Sequence, residues 1–395
     1  MLITSIILVL QERYHIKYDP VHHRLRCTGH IINLVAQAFL FSTDKDALLE
    51  ENNQDSSYLP TELEMENWRQ KGPLGKLHNI VVHIQRSPQR VAAFLKLSSG
   101  KRLVRDNKTR WNSWYAMIDC AIQERLRLAV DLYCHQAGRE MEADSLSPED
   151  WTVLTNIHHF LRFFHQATLA TEGHTATLER VLSTMEFLLE QLEIGKLEYS
   201  NDPYIGPCIN SAWSKLDKYY GLTERSSAYI ATMVLIPSQK WTWIEDNWEP
   251  DWIIAAKASV QDLWDSQYKP PYQPVIPLTK PTQEKTEHQI WLEQKRRQPP
   301  IIDEYIKYCQ APITPECDSK AWWMEPAQRA TYPNLAIMAL DMLSIPAMSD
   351  EPERLFSGAG VTITERRNRL GVESIEALEC LKSWNKGGMP WADEN

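Results

Sequence analysis

From Ile118 to Leu197 apolar side chains recur almost without a break in what reads as amphipathic helix: Leu126, Leu128, Val130 and Leu132, then Leu154, Ile157, Phe160, Leu161 and Phe164, then Leu178, Val181, Leu182, Met185, Leu188, Leu189 and Leu192. Residues three and four apart share one face of a helix, so a stretch like this can bury its stripe only against other elements. Ser147-Pro148-Glu149-Asp150 adds a start signal, with a capping hydroxyl, a proline in the first turn and acids at the positive end of the dipole. A strand alternates with period two and could not hold these positions on one side. The chain is therefore expected to be mainly α. These stripes read as core, and His158, His159 and His165 among them as packing or surface residues.

With 395 residues, 43% hydrophobic and 24% charged, the chain can bury a large core and form two or three domains. Its net charge of -10 excludes a generally basic phosphate-binding surface, so any DNA contact must be local. The 7 cysteines are scattered without a CxxC pair and read as reduced thiols of a cytosolic or nuclear protein. Met1 to Leu10 is too short to span a bilayer and reads as a buried strand or helix start, so no membrane partner is expected.

Along the chain, Arg24-Leu25-Arg26-Cys27 alternates like a short strand, and Ile31, Leu34, Val35, Ala38 and Phe39 follow at helical spacing. Cys27-x-x-His30 lies at the join. It could be half of a zinc site, but no second ligand pair follows at finger spacing, and a buried Cys beside a hydrogen-bonded His accounts for it equally. Thr43 to Gln70 is acidic and polar and reads as a surface excursion. Helical period resumes at Leu77, Ile80, Val81 and Ile84. Gly100 to Tyr115 is the one locally basic patch interleaved with aromatics: Lys101, Arg102, Arg105, Lys108 and Arg110 surround Trp111 and Trp114. Cations beside a stacking ring are the ingredients of single-strand or flipped-base recognition, although a helix start whose tryptophans pack inward has the same composition. Lys269 to Pro281 holds five prolines and reads as a stiff linker, followed by a charged helix over 283–298.

The stretch Ser349-Asp-Glu-Pro-Glu353-Arg354-Leu355-Phe356-Ser357, with Arg-Asn-Arg-Leu-Gly over 367–371 and an amphipathic helix after it, resembles the C-terminal dimerisation region of hAT-superfamily transposases, the Activator/hobo group. The string RLRCTGHIINLVAQAFLF over 24–41 is similar to the family's Cys-x-x-His segment, Asn-Lys-Thr-Arg110-Trp111-Asn-Ser to its Thr-Arg-Trp segment, and the order of Lys-Leu-Asp-Lys-Tyr-Tyr, Ala-Tyr-Ile-Ala and Leu-Ile-Pro-Ser-Gln-Lys-Trp to the end of the helical insertion of fungal members. The resemblance implies that Glu353 matches the last of three metal-binding carboxylates of an RNase H-like nuclease. It further implies that His30 is a DNA-end contact, and that Arg110 and Trp111 lie at the cleaved end, with Trp111 stacking near the hairpin.

One departure matters. The family's two other catalytic aspartates precede the Cys-x-x-His segment, and here only Asp19 does so, without an Asp-Asn pair. Two-metal phosphoryl chemistry needs carboxylates that hold cations about 3.5–4 Å apart, which Glu353 alone cannot do. The resemblance thus implies an N-terminally truncated RNase H-like domain, mainly α with a small α/β part, interrupted by a large all-helical insertion. Its expected divisions are the last strand and helix of the core (1–42), the insertion (43–268), the Pro-rich linker and charged helix (269–300), and C-terminal helices with the dimerisation region (301–395). The expected protein is transposase-derived and nuclear, dimerises with itself or with a full-length hAT transposase, and lacks strand transfer. Magnesium or manganese would enter only if the missing carboxylates were supplied, and no other cofactor or small-molecule substrate is expected. DNA ends are the candidate ligand, through His30, Arg110, Trp111, Lys101, Arg102, Arg105 and Lys108. Leu355, Phe356, Ile375, Leu378, Leu381 and Trp384 are the candidate dimer residues. The alternatives are a fragment of a working transposase and an unrelated helical scaffold.

Overall fold

The computed structural model describes residues 11–13, 24–41, 62–106, 110–173, 176–223, 225–270, 287, 291, 303–349, 374, 376–378 and 380–382. In chain order the helices are α1 (Thr28–Leu40), α2 (Glu62–Arg69), α3 (Pro73–Gln85), α4 (Pro88–Leu97), α5 (Trp111–Ala121), α6 (Glu124–Ala137), α7 (Pro148–Thr171), α8 (Val181–Glu198) and α9 (Ile205–Thr223). They continue with α10 (Ser227–Val234), α11 (Thr242–Asn247), α12 (Pro250–Leu263), α13 (Glu304–Gln310), α14 (Ser319–Met324), α15 (Pro326–Thr331) and α16 (Pro333–Leu343). The chain is mainly helical, and no β-strand occurs among the described residues. Two compact units are formed, one from 26–176, 183–221 and 346–395, the other from 1–25, 177–182 and 222–345.

In the first unit α7 is the central post. It begins with the full capping box at Ser147 and Asp150, and its buried stripe of Trp151, Leu154, Ile157, Phe160, Leu161 and Phe164 is the one its spacing predicts. Helices α1, α3 and α5 pack on it. Phe39 of α1 meets Phe160 and Phe164 with ring centroids 5.5 and 6.2 Å apart. A fully buried aromatic side chain of this size contributes roughly 1.5–3 kcal/mol by leaving water. Within the expected polar excursion 43–70 the structure forms α2. Its acidic sequence hides an inward face, where Trp68 stacks on His78 at 4.2 Å and Arg69 forks onto buried Asp144 at 3.1 and 2.9 Å.

In the second unit large aromatics are buried together with their polar atoms. Trp323 Nε1 donates to Leu235 O at 2.8 Å, Tyr308 Oη to Val234 O at 3.1 Å, and Trp264 Nε1 to Asp303 Oδ2 at 3.0 Å. Burial of such rings without these bonds would cost about 1–3 kcal/mol each. Helix α13 is capped at both ends. Asp303 accepts from the Tyr305 and Ile306 amides, and Lys240 Nζ donates to the carbonyls of Tyr308 at 2.6 Å, Ala311 at 2.6 Å and Pro312 at 3.2 Å. Burial lowers the Lys240 pKa. Glu304 in turn accepts from the Asn334 and Leu335 amides at 2.9 Å, satisfying the open N-terminus of α16.

Three expectations change. Arg24–Cys27 forms no strand, and its end is used instead to anchor residues 347–349. The small α/β part is accordingly not found among the described residues. Leu128 and Leu132 of α6, read as core, are 57% and 50% exposed, because they lie across the helix from buried Leu126 and Val130. In α16, Leu335, Met338 and Leu343 are fully buried within the unit, where α10, α14 and the π-helical turn Trp264–Tyr268 cover them. Only Ile337, at 53% exposure, remains a large open apolar side chain on that helix. The readings of residues 1–10 and of a helix over 283–298 lie outside the described residues, apart from Glu287 and Trp291 within the latter. No helix among the described residues is long and apolar enough to cross a membrane.

Candidate functional site

The N-terminal half of α1 gathers three segments that are far apart in sequence. Its first amide, Thr28 N, donates to Ala347 O at 3.0 Å. Ser349 N donates to Cys27 Sγ at 3.3 Å, joining residues 322 apart. Gly29 leaves room for the Met348 side chain, whose Sδ lies 2.9 Å from where a Cβ would be. On the same helix, Asn33 Oδ1 accepts from Trp111 N at 3.3 Å. The Cys-x-x-His turn, the start of the Thr-Arg-Trp helix and the chain leading into Glu353 therefore converge within one turn of His30, which is exposed there.

Trp111 departs from its expected role. Its side chain is 3% exposed, packed against Tyr115 and edge-on to Phe164 at 6.2 Å in each case. A base cannot stack on a ring that is already covered, so in this conformation Trp111 is a core residue that fixes the start of α5. Tyr115, one turn on, lies between His158 and His165 at 4.9 and 5.0 Å, and burial followed by Asp119 raises its pKa. His158 also contacts Asp119 at 2.8 Å.

The cations fare differently. Lys101, Arg102, Arg105 and Arg110 are all exposed, while Leu103 and Asp106 turn inward at 6% and 8% exposure. Lys101, Arg102 and Arg105 form no ion pair among the described residues. The outward cations form a comb on an irregular strap that leads to α5. Sequence reading missed the buried contact of Asp106 with His78 at 2.8 Å, because nothing local marks it.

Glu353, Lys108, Leu355, Phe356, Ile375 and Trp384 lie outside the described residues. Leu378 and Leu381 are 37% and 38% exposed. Among the described residues no group of three or more His, Cys, Asp or Glu is arranged to hold a metal ion. The side chains and amides described at the head of α1 offer a thiol, an imidazole and N–H donors, not the oxygen cage that magnesium or manganese takes.

Residues 303–385 match the hAT family C-terminal dimerisation region, and residues 25–160 match the ZBED1 RNase-like helical domain. Over these regions the chain resembles hAT-family, transposase-like proteins. It is 25% identical over 373 residues to a Talaromyces stipitatus protein named as a transcriptional regulator, tpeD, covering 91% of this chain and 41% of that one. It is 25% identical over 400 residues to a Zea mays protein named as an AC transposase, covering 93% and 44%. With the zinc finger BED domain-containing protein DAYSLEEPER of Arabidopsis thaliana it shares 23% over 301 residues, 73% of this chain and 42% of the relative. The chain thus spans less than half the length of these relatives. Its two matched regions include the head of α1, the strap and the start of α5 on one side, and α13 to α16 on the other.

Proposed function

We propose that this hAT-type chain is a transposase-derived, nuclear protein that dimerises through residues 303–385 and holds a DNA end at the head of α1, without strand-transfer activity of its own. The observation that carries the reading is the convergence of Cys27–His30, Arg110–Trp111 and residues 347–349. That end of the helix would be what remains of an RNase H-like site, with His30, Arg110, Lys101, Arg102 and Arg105 meeting phosphates. Of the three family carboxylates only Glu353 has a counterpart in the 395 residues, so these residues alone lack the ligands for two metals. A polypeptide that supplied the other two would be a working transposase.

The test uses the 395-residue protein and a fluorescein-labelled DNA hairpin with a single-stranded flank. Binding is expected to be steep in salt, and the triple substitution of Lys101, Arg102 and Arg105 to Ala should weaken it and flatten the slope of log K on log salt by up to about 0.9 per cation lost. No nicking is expected with magnesium or manganese. Metal-dependent cleavage abolished by Glu353→Ala would show a complete nuclease and reverse the reading.

Association has a separate test. Leu378 and Leu381 lie one helical turn apart in the dimerisation region, and both are partly exposed. Leu378→Asp is expected to shift the protein toward monomer in light scattering at roughly tens of micromolar, since a buried unpaired charge opposes association. A wild-type monomer at that concentration, unchanged by the substitution, would favour the helical scaffold instead.

A further inference from the structure

The strap Lys101–Asp106 is tied down by its inward residues while its cations face out. Its carbonyls accept from fixed side chains: Lys101 O from Ser98 Oγ at 2.5 Å, Arg102 O from Cys120 Sγ at 3.4 Å, and Leu103 O from Gln85 Nε2 at 3.1 Å. The remaining tie is made by a side chain of the strap itself. Asp106 Oδ1 lies 2.8 Å from His78 Nδ1, with the carboxylate side chain 1% exposed and the imidazole 10%.

The imidazole is a rigid post. It stacks on Trp68 at 4.2 Å and 29°, and on Trp114 at 5.7 Å and 27°, so it cannot follow the carboxylate if the strap shifts. Asp106 is also the one acid between residues 101 and 110. Pointing outward it would sit next to Arg105 and repel phosphate; pointing inward it leaves Lys101, Arg102 and Arg105 with no acid of the strap beside them. A loop left free would lose backbone entropy at every residue on binding, and a loop already ordered does not.

We infer that His78 and Asp106 form a positioning pair for the nucleic-acid contact: the clamped imidazole pins the strap through Asp106 and withdraws its only carboxylate, so that Lys101, Arg102 and Arg105 are presented to phosphates in a preset arrangement. The inference rests on the reading of the strap as the DNA contact, and it assigns the pair no chemistry.

Two readouts test it, hairpin affinity and the rate of tryptic nicking after Lys101, Arg102 and Arg105, which does not depend on DNA. His78→Phe keeps the ring stack and removes the donor, Asp106→Ala removes the acceptor, and Asp106→Asn keeps an acceptor in place. His78→Phe and Asp106→Ala are expected to speed nicking and weaken hairpin binding, each by about tenfold, whereas Asp106→Asn stays within about twofold of wild type in both. If Asp106→Ala does not fold, His78→Phe against Asp106→Asn decides. Unchanged nicking in His78→Phe overturns the pinning, and faster nicking with unchanged affinity overturns its role in binding. If those variants bind like wild type while the triple alanine variant of Lys101, Arg102 and Arg105 does not, only the positioning inference falls; if the triple variant also binds like wild type, the DNA reading falls and takes the inference with it.

Discussion

Asp144→Ala is expected to lower the unfolding free energy by about 3–5 kcal/mol, the range for breaking a buried ion pair from one side. Asp144 is fully buried and accepts from Arg69 Nε at 3.1 Å, Arg69 Nη2 at 2.9 Å and Asn79 Nδ2 at 2.8 Å. The Arg69 side chain is itself only 15% exposed. Removing the carboxylate leaves that guanidinium largely out of water, and its pair with Glu66, at 3.0 Å but 56% exposed, returns at most about 1 kcal/mol. Asn79 keeps its other bond, to Met65 O at 2.9 Å, so the loss falls mainly on the arginine. Replacing both partners by apolar residues, Arg69→Met with Asp144→Leu, should recover most of the stability, because no buried charge then lacks a counterpart. Urea denaturation followed by circular dichroism measures both variants. A change below about 1 kcal/mol for Asp144→Ala would mean that α2 is not held to the bundle by this pair.

Trp111→Ala should cost a similar amount, about 3–5 kcal/mol, and should do so through folding. The ring fills the space between α5 and α7, beside Tyr115 and edge-on to Phe164. Its deletion leaves a cavity that the fixed backbone of α5, bonded at Trp111 N to Asn33, cannot collapse to fill. Trp111→Phe should recover part of the loss. Hairpin affinity measured well below the melting temperature, and corrected for the folded fraction, should change far less than the stability. A variant that melts like wild type but no longer binds DNA would restore the ring to base stacking and place its burial in a closed, unbound conformation.

Both predictions concern residues whose types were legible and whose environments were not. Trp111 stood out in the sequence as an aromatic among cations, and both a stacking platform and a core anchor satisfy that pattern; the deciding partner, Phe164, lies on another helix. Asp144 carried no mark at all, because its worth comes from Arg69, 75 positions away. The same holds for α2, whose acidic run reads as solvated chain until Trp68 and Arg69 find His78 and Asp144.

Local periodicity was sufficient wherever a helix has one apolar stripe. The spacing in α3 and α7, the capping box at Ser147 and the mainly helical class follow from chemistry within a few residues, since a helix satisfies its own backbone and its face is set by its own sequence. The family resemblance likewise rests on contiguous strings, Cys27 to His30, Thr109 to Trp111 and Ser349 to Phe356. What the sequence by itself determined, then, is the helical class, the start of α7 and which residues carry charge at the strap. The tertiary structure decided which of those strings meet, that Arg24–Cys27 would anchor residues 347–349 and not pair as a strand, and that α16 would be covered from within its own unit. A strand needs a partner and an apolar helix needs a cover, and both are supplied by residues distant in sequence that only the folded chain brings into contact.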